Sequence, residues 1–177
     1  KFTIPDDKPW QWLPSANLTY SPTEQINIRA AVSSSVVRPE LMDNSQFFRY
    51  NPYLGANFGN NGLTSTRIDS YDFKSVWFLG AGEIISAGAF YKKFDKPTEL
   101  SFILTNGNIS YDLRNSDNAK VYGLEFELRK NLGMFLDNEI FNNLTAYGNL
   151  TLQKSTVTAT YPIQDPNDIN SNILVPV

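Results

Sequence analysis

The chain contains no cysteine and no histidine. Without thiols there are no disulfides and no thiolate metal sites. Without imidazole there is no Ser-His-Asp triad, no histidine-ligated zinc and no side chain that ordinarily titrates near neutral pH. Charge is sparse too, with 15 Lys+Arg against 18 Asp+Glu in 177 residues. The formal net charge is −3 and no basic block stands out, so a nucleic-acid partner is not expected. No apolar run reaches the ~18 residues of a membrane-spanning helix. A spanning β-strand needs only ~9–11 residues, however, and its alternation averages to a polar value. The mean hydropathy of −0.32 therefore does not discriminate. Lys1-Phe2-Thr3-Ile4-Pro5 does not have the form of a signal peptide, so any export signal is expected outside this chain.

What is present is an alternating, aromatic-rich sequence of one-domain length, with 41% hydrophobic and 14% aromatic residues. Ile26, Ile28, Ala30, Val32 and Val36 fall on one face of an extended chain, with Ser34 as the exception. Asn27, Arg29, Ser33 and Ser35 fall on the other, with small Ala31 between. Ala16 to Tyr20 alternates likewise, and Ser21-Pro22-Thr23-Glu24-Gln25 joins the two runs as a turn. A second pair, Ile68 to Phe78 and Ile84 to Phe94, meets at Leu79-Gly80-Ala81-Gly82. Ile85, Ala87, Ala89 and Tyr91 share a face there, and Phe90 interrupts the polar one. In a third pair Lys120 to Lys130 sets Tyr122, Leu124, Phe126 and Leu128 against Gly123, Glu125, Glu127 and Arg129. Its partner runs from Asn143 to Thr158, after an apolar connection open to a short helix or a membrane-edge contact.

These observations predict an all-β, antiparallel up-and-down sheet of about six strands. Short turns alternate with long Asn/Gly/Pro-rich stretches at 38–67, 95–118 and beyond 161. That asymmetry is the habit of outer-membrane barrels, whose turns are short on one side and loops long on the other. Six strands are too few to close such a barrel. A soluble β-sandwich with glycan-binding or adhesin-like function gives the same alternation, and pattern alone leaves both readings open. In a membrane, Tyr122, Leu124, Phe126 and Leu128 suit lipid, and Tyr20, Trp77, Phe78, Tyr91 and Tyr122, near strand ends, suit interfacial girdles. Arg29, Glu125, Glu127 and Arg129 would then face a wet lumen, because an arginine facing lipid near the midplane costs roughly 2–4 kcal/mol.

Several segments resemble the barrel region of TonB-dependent outer-membrane receptors, in a Bacteroidetes-like form. Ser33-Ser34-Ser35-Val36-Val37-Arg38-Pro39-Glu40 resembles a strand end that usually reads Ala-Arg-Pro-Glu. Phe58-Gly59-Asn60-Asn61-Gly62-Leu63 is similar to the family's Gly-Asn-Pro-x-Leu, with Asn61 for proline. Ile68 to Asp72, Trp77 to Ser86, Ala89 to Lys93 and Asn118 to Glu127 resemble the strands that follow. Together they cover roughly Leu13 to Val157. The resemblance implies a C-terminal segment of a 22-stranded transmembrane barrel, with residues 1–177 forming a partial barrel. Plug, TonB box and closing strand are not recognisable. It further implies a site in the bacterial outer membrane, lipid contact, and TonB as partner through the plug region. The implied activity is import of a scarce small-molecule or glycan ligand, a siderophore or cobalamin included.

Phe47, Phe48, Arg49, Tyr50 and Tyr53 form an aromatic loop suited to stacking on a sugar or siderophore ring, though such a loop also packs on itself. Asp112, Asp117, Asp165 and Asp168 read as solvated loop acids, because no EF-type spacing joins them. Glu125 and Glu127 share a face by alternation, which any polar-lined strand produces, so catalysis is not expected. No cofactor is expected. The sequons at Asn17, Asn108, Asn143 and Asn149 read as chance.

Overall fold

The structure is a computed structural model that describes residues 10–40, 43, 49–51, 56–60, 62–105, 108–134, 143–165 and 168–176. Among these residues there are twelve strands and a single 3-10 turn. In chain order the strands are β1 (Ser15–Thr23), β2 (Ile26–Val37), β3 (Arg49–Asn51), β4 (Ala56–Asn60), β5 (Thr66–Gly80) and β6 (Glu83–Asp95). They continue with β7 (Thr98–Thr105), β8 (Asn108–Asn115), β9 (Asn118–Asn131), β10 (Thr145–Thr158), β11 (Thr160–Asp165) and β12 (Asp168–Pro176). The 3-10 turn, Leu132–Met134, follows β9.

Six long strands form one antiparallel wall in the order β1-β2-β5-β6-β9-β10. Each is hydrogen-bonded to the next wall strand along the chain, as in an up-and-down sheet. The turn between β5 and β6 is Ala81-Gly82, where Gly82 sits at φ 77°, a conformation that a Cβ would strain.

Register carries the two faces across all six strands. Tyr20, Ile28, Ser75, Ala87, Phe126 and Leu150 stand in one row. Val32, Tyr71, Tyr91, Tyr122 and Lys154 form the row at the long-loop end of the same face. The Tyr71 and Tyr91 rings lie 6.1 Å apart and tilted. Beyond this tyrosine row the face turns polar, as Ser34, Asp69, Lys93, Lys120 and Thr156. At the turn end it turns polar again, where Lys130 Nζ meets Glu83 at 2.6 Å. The apolar band on β6 thus lies between Glu83 and Lys93, and on β9 between Lys120 and Lys130. Each interval is close to the ~9–11 residues that a tilted strand needs to cross a bilayer.

No second layer covers either face of the wall among the described residues. Phe73, Tyr122, Leu124, Phe126, Leu128 and Leu150 are all exposed, whereas a sandwich would bury one face. Among the described residues the buried apolar ones are Leu63, Val76, Ala119 and Ala159, and of these only Val76 and Ala119 lie on the wall strands. The wall is a barrel segment, and the soluble sandwich is set aside.

The long connections at 38–67 and 95–118 and the stretch beyond 161 contain strands of their own in addition to the six expected. The first carries the hairpin β3-β4 and the second carries β7-β8. A parallel pairing of β4 with β8 fuses them into a four-stranded sheet, β3-β4-β8-β7. The last stretch holds the β11-β12 hairpin. Between β7 and β8 the sequence reads Asn106-Gly107, a favoured hairpin connection, and Leu100, Phe102 and Leu104 keep period two before it. A high Asn/Gly content accompanies strands here.

Candidate functional site

Arg29, Glu125, Glu127 and Arg129 share the face opposite the tyrosine row. The register aligns Arg29 with Lys74, Lys74 with Gly88, and Gly88 with Glu125. Lys74 Nζ reaches across β6 to Glu127 Oε2 at 3.3 Å, and the Ser86 hydroxyl donates to the same oxygen at 3.4 Å. Neither Arg29 nor Arg129 makes an ion pair among the described residues; the cation paired with Glu127 is Lys74, which alternation alone did not single out. Thr151 lies opposite Glu125, and Tyr147 opposite Arg129. The face is charged and wet in character, with Asn149, Thr151 and Gln153 continuing it onto β10.

Phe90 interrupts this polar face for a local reason. Its neighbour across the ladder is Gly123. A Cβ built on Gly123 would stand 2.8 Å from Phe90 Cζ and 2.5 Å from the Leu152 carbonyl oxygen. The ring therefore occupies the space that a side chain at 123 would take, the aromatic covering of a strand glycine.

At the long-loop end a collar ties the wall to the loop strands. Asn115, the last residue of β8, is its hub. Its Oδ1 accepts from the Thr64 amide at 2.8 Å and from the Thr64 hydroxyl at 3.2 Å. Its Nδ2 donates to the Lys96 carbonyl at 2.7 Å and to the Thr64 carbonyl at 3.0 Å. The Thr66 hydroxyl donates to the Lys96 carbonyl at 2.8 Å, and the Ser116 hydroxyl donates to Glu99 at 2.6 Å. The Lys96 backbone sits at φ 53°, a left-handed conformation costly for a lysine and held here by these partners. Leu63, from the segment resembling the family's Gly-Asn-Pro-x-Leu, is 2% exposed and plugs the collar. A polar cavity of about 420 Å³ opens beside it, with Asp95, Lys96, Arg114 and Asp117 in its walls. Asp117 joins the collar through its backbone, its amide donating to the Thr158 carbonyl at 3.1 Å. Nothing in local sequence pattern marks Asn115, because its partners lie 17 to 51 residues away.

Of the aromatic loop, Phe47, Phe48 and Tyr53 lie outside the described residues. Arg49 and Tyr50 open β3, where they pair with Phe58 and Asn57. The Tyr50 side chain is 62% exposed, so the loop sheet presents at least one free aromatic ring to solvent.

The family described as TonB dependent receptor-like, beta-barrel matches residues 2–175. Among solved structures the chain is similar to the siderophore receptor PirA from Pseudomonas aeruginosa. The two share 19% identity at a TM-score of 0.64, over 85% of this chain and 26% of that one. It is also similar to the ferric enterobactin receptor PfeA in complex with BCV-L6, with 17% identity and a TM-score of 0.60, over 89% of this chain and 26% of that one. At such identities the likeness shows the fold alone. The chain spans about a quarter of the length of these two receptors. No curated protein matches the sequence.

Proposed function

The chain belongs to the TonB-dependent receptor β-barrel family of the bacterial outer membrane, and from that premise we propose that it forms part of the wall and extracellular collar of a transporter. The transporter imports a scarce ligand such as a siderophore, cobalamin or a glycan. One observation carries the reading: a single-layer wall whose outward face is an apolar band bounded by tyrosines and charge, and whose other face bears Lys74 and Glu127 in an ion pair. Lipid covers the first face, and every ladder bond must be made within the closed barrel. Water and the plug meet the second, where Arg29, Glu125, Glu127 and Arg129 line the lumen. The collar holds the loop sheet above the wall, and Tyr50 with the neighbouring Phe47, Phe48, Arg49 and Tyr53 contacts the ligand. TonB acts through the plug region.

Both similar structures are receptors named for siderophores, which makes a ferric siderophore the first ligand to try. The test is uptake of radiolabelled ferric siderophore, cobalamin and labelled oligosaccharide by source cells with and without the gene. A strain without TonB serves as control. Gene-dependent and TonB-dependent uptake of one ligand class is expected. A gene product found in the soluble fraction, or uptake of all three classes unchanged by the deletion, would overturn the proposal.

A further inference from the structure

The two ends of the β6-β9 pair carry opposite electrostatic solutions on the same outward face. At the turn end Glu83 and Lys130 neutralise one another at 2.6 Å. The Asn131 amide also donates to Glu83 Oε1 at 3.1 Å. At the loop end Lys93 stands directly opposite Lys120, with no carboxylate in the pair. Like charges directly opposite on neighbouring strands destabilise a sheet. Lys154 stands next to Tyr122 on β10, diagonal to Lys120, and brings a third cation to the same patch.

All three lysines are exposed, and none has an ion-pair or hydrogen-bond partner among the described residues. Asp69 attracts Lys93 electrostatically, but one carboxylate that is already bonded elsewhere does not balance three lysines. Asp69, opposite Lys93, is engaged by the Ser34 hydroxyl at 2.5 Å and by Arg67 Nε at 3.3 Å. Asp95 lies one row further out, exposed and opposite Arg67 and Asn118. Immediately below Lys93 and Lys120 runs the row Tyr71-Tyr91-Tyr122, which Lys154 continues on β10 and whose amphipathic rings suit the level of lipid headgroups. The excess of positive charge therefore sits at the level of the tyrosine row, on the same face as the apolar band.

We propose that Lys93, Lys120 and Lys154 form a binding site for the phosphates of an outer-leaflet lipid headgroup, with the acyl chains lying along Leu124, Phe126 and Ala89 below. This rests on the outer-membrane reading above. Phosphate oxygens accept from all three ammonium groups, and the tyrosine hydroxyls beside them add donors to the headgroup. The site is a patch on the face of the wall opposite Glu125 and Glu127.

The test uses the full-length receptor purified in a neutral detergent. Native mass spectrometry and a titration at two salt concentrations would follow binding of lipid A, a diphosphorylated acylated disaccharide. The same lipid stripped of phosphate, and inorganic phosphate alone, are the comparison probes. The triple variant Lys93→Gln/Lys120→Gln/Lys154→Gln is expected to lose at least about tenfold in affinity, and the wild-type affinity to fall as salt rises. Lys92→Gln, which changes the neighbouring residue on the other face, is expected to bind as wild type. Equal binding by the triple variant overturns the proposal, as does equal binding of the dephosphorylated lipid. Competition by inorganic phosphate at the same concentration as the lipid would also overturn it, in favour of a free-anion site. Fractionation of the source cells keeps the two readings apart. A receptor found in the outer membrane that binds no lipid phosphate defeats the lipid site alone, whereas a soluble product defeats the membrane assignment beneath it.

Discussion

Arginine placed at two successive positions of β10 separates the two faces of the wall. Leu150 is 54% exposed and stands in the row of Phe126, Ala87, Ser75 and Ile28, midway between the charged ends of the band. Thr151, one residue on, points to the opposite face and lies across from Glu125. Leu150→Arg places a guanidinium against acyl chains near the midplane, at a cost of roughly 2–4 kcal/mol. Thr151→Arg places it in the lumen within reach of Glu125, at roughly 0–1 kcal/mol in either direction. The two substitutions should therefore differ by roughly 1–5 kcal/mol, about 5- to 5000-fold in folding equilibrium. The assay is denaturant unfolding of the full-length receptor in phospholipid vesicles, with the amount of assembled receptor in the outer membrane as a second readout. In a soluble protein of the same sheet both sites are open to water and both substitutions are nearly neutral. Equal costs at 150 and 151, or a larger cost at 151, would refute the assignment of the faces.

Lys74→Ala, Glu127→Ala and their double variant form a cycle whose coupling energy should stay below about 1 kcal/mol, because the side chains are 42% and 27% exposed. A coupling several times larger, insensitive to salt, would mean that the inner face is dry. Gly123→Ala should destabilise by about 1–3 kcal/mol, read in the same vesicle assay. Adding Phe90→Ala should recover only part of that, because the Leu152 carbonyl still blocks the new Cβ. Asn115→Ala strands the carbonyls and hydroxyl it serves on Thr64, Lys96 and Thr98, at about 1–3 kcal/mol confined to the collar. Hydrogen exchange should rise at the Thr64 and Ser116 amides and stay unchanged in β5 and β6. Tyr50→Ala should weaken binding of the transported ligand about tenfold while leaving receptor levels unchanged, as measured by equilibrium binding to whole cells.

The wall was legible because its information is local. Period two over Ile26 to Val36, Ile84 to Phe94 and Lys120 to Lys130 marked the strands and the faces, and Gly80 with Gly82 marked one turn; Pro22, expected in a turn, lies instead in β1 at the irregularity between Tyr20 and Thr23, just before the turn at Glu24-Gln25. The strands run beyond those bounds. β5 begins at Thr66 and β6 ends at Asp95, because Arg67, Asp69, Lys93 and Asp95 continue the ladder above the band, where the outward face meets water. There the alternation of polarity ends although the strand does not. The exceptions along the strands have partners on other strands. Ser34 is polar on the apolar face because it hydrogen-bonds Asp69, and Phe90 is apolar on the polar face because it covers Gly123. Both facts depend on register between distant segments, which no single strand records. The parallel pairing of β4 with β8 is non-local in the same way, and the Asn115 network follows from it.

What the chain buries by itself lies mostly at one place, and that bears on how the protein works. Leu63, Thr66, Ser116, Ala119 and Ala159 are buried, and all lie in the collar or on the wall strands directly beneath it. Asp69, beyond the tyrosine row, has its carboxyl held below the ordinary range, first by the Ser34 hydroxyl and also by Arg67, so this rim stays charged and bonded. Among the described residues the wall below has no second layer packed on it, and its strands are joined by ladder bonds. A transporter must let its interior change while its mouth keeps the ligand loops in register. Among the described residues, the loop sheet is mounted where burial is concentrated, which suits the transport role proposed above. A plug can then rearrange against a hydrated, weakly paired inner face such as that of Lys74 and Glu127 without disturbing the collar that carries Tyr50.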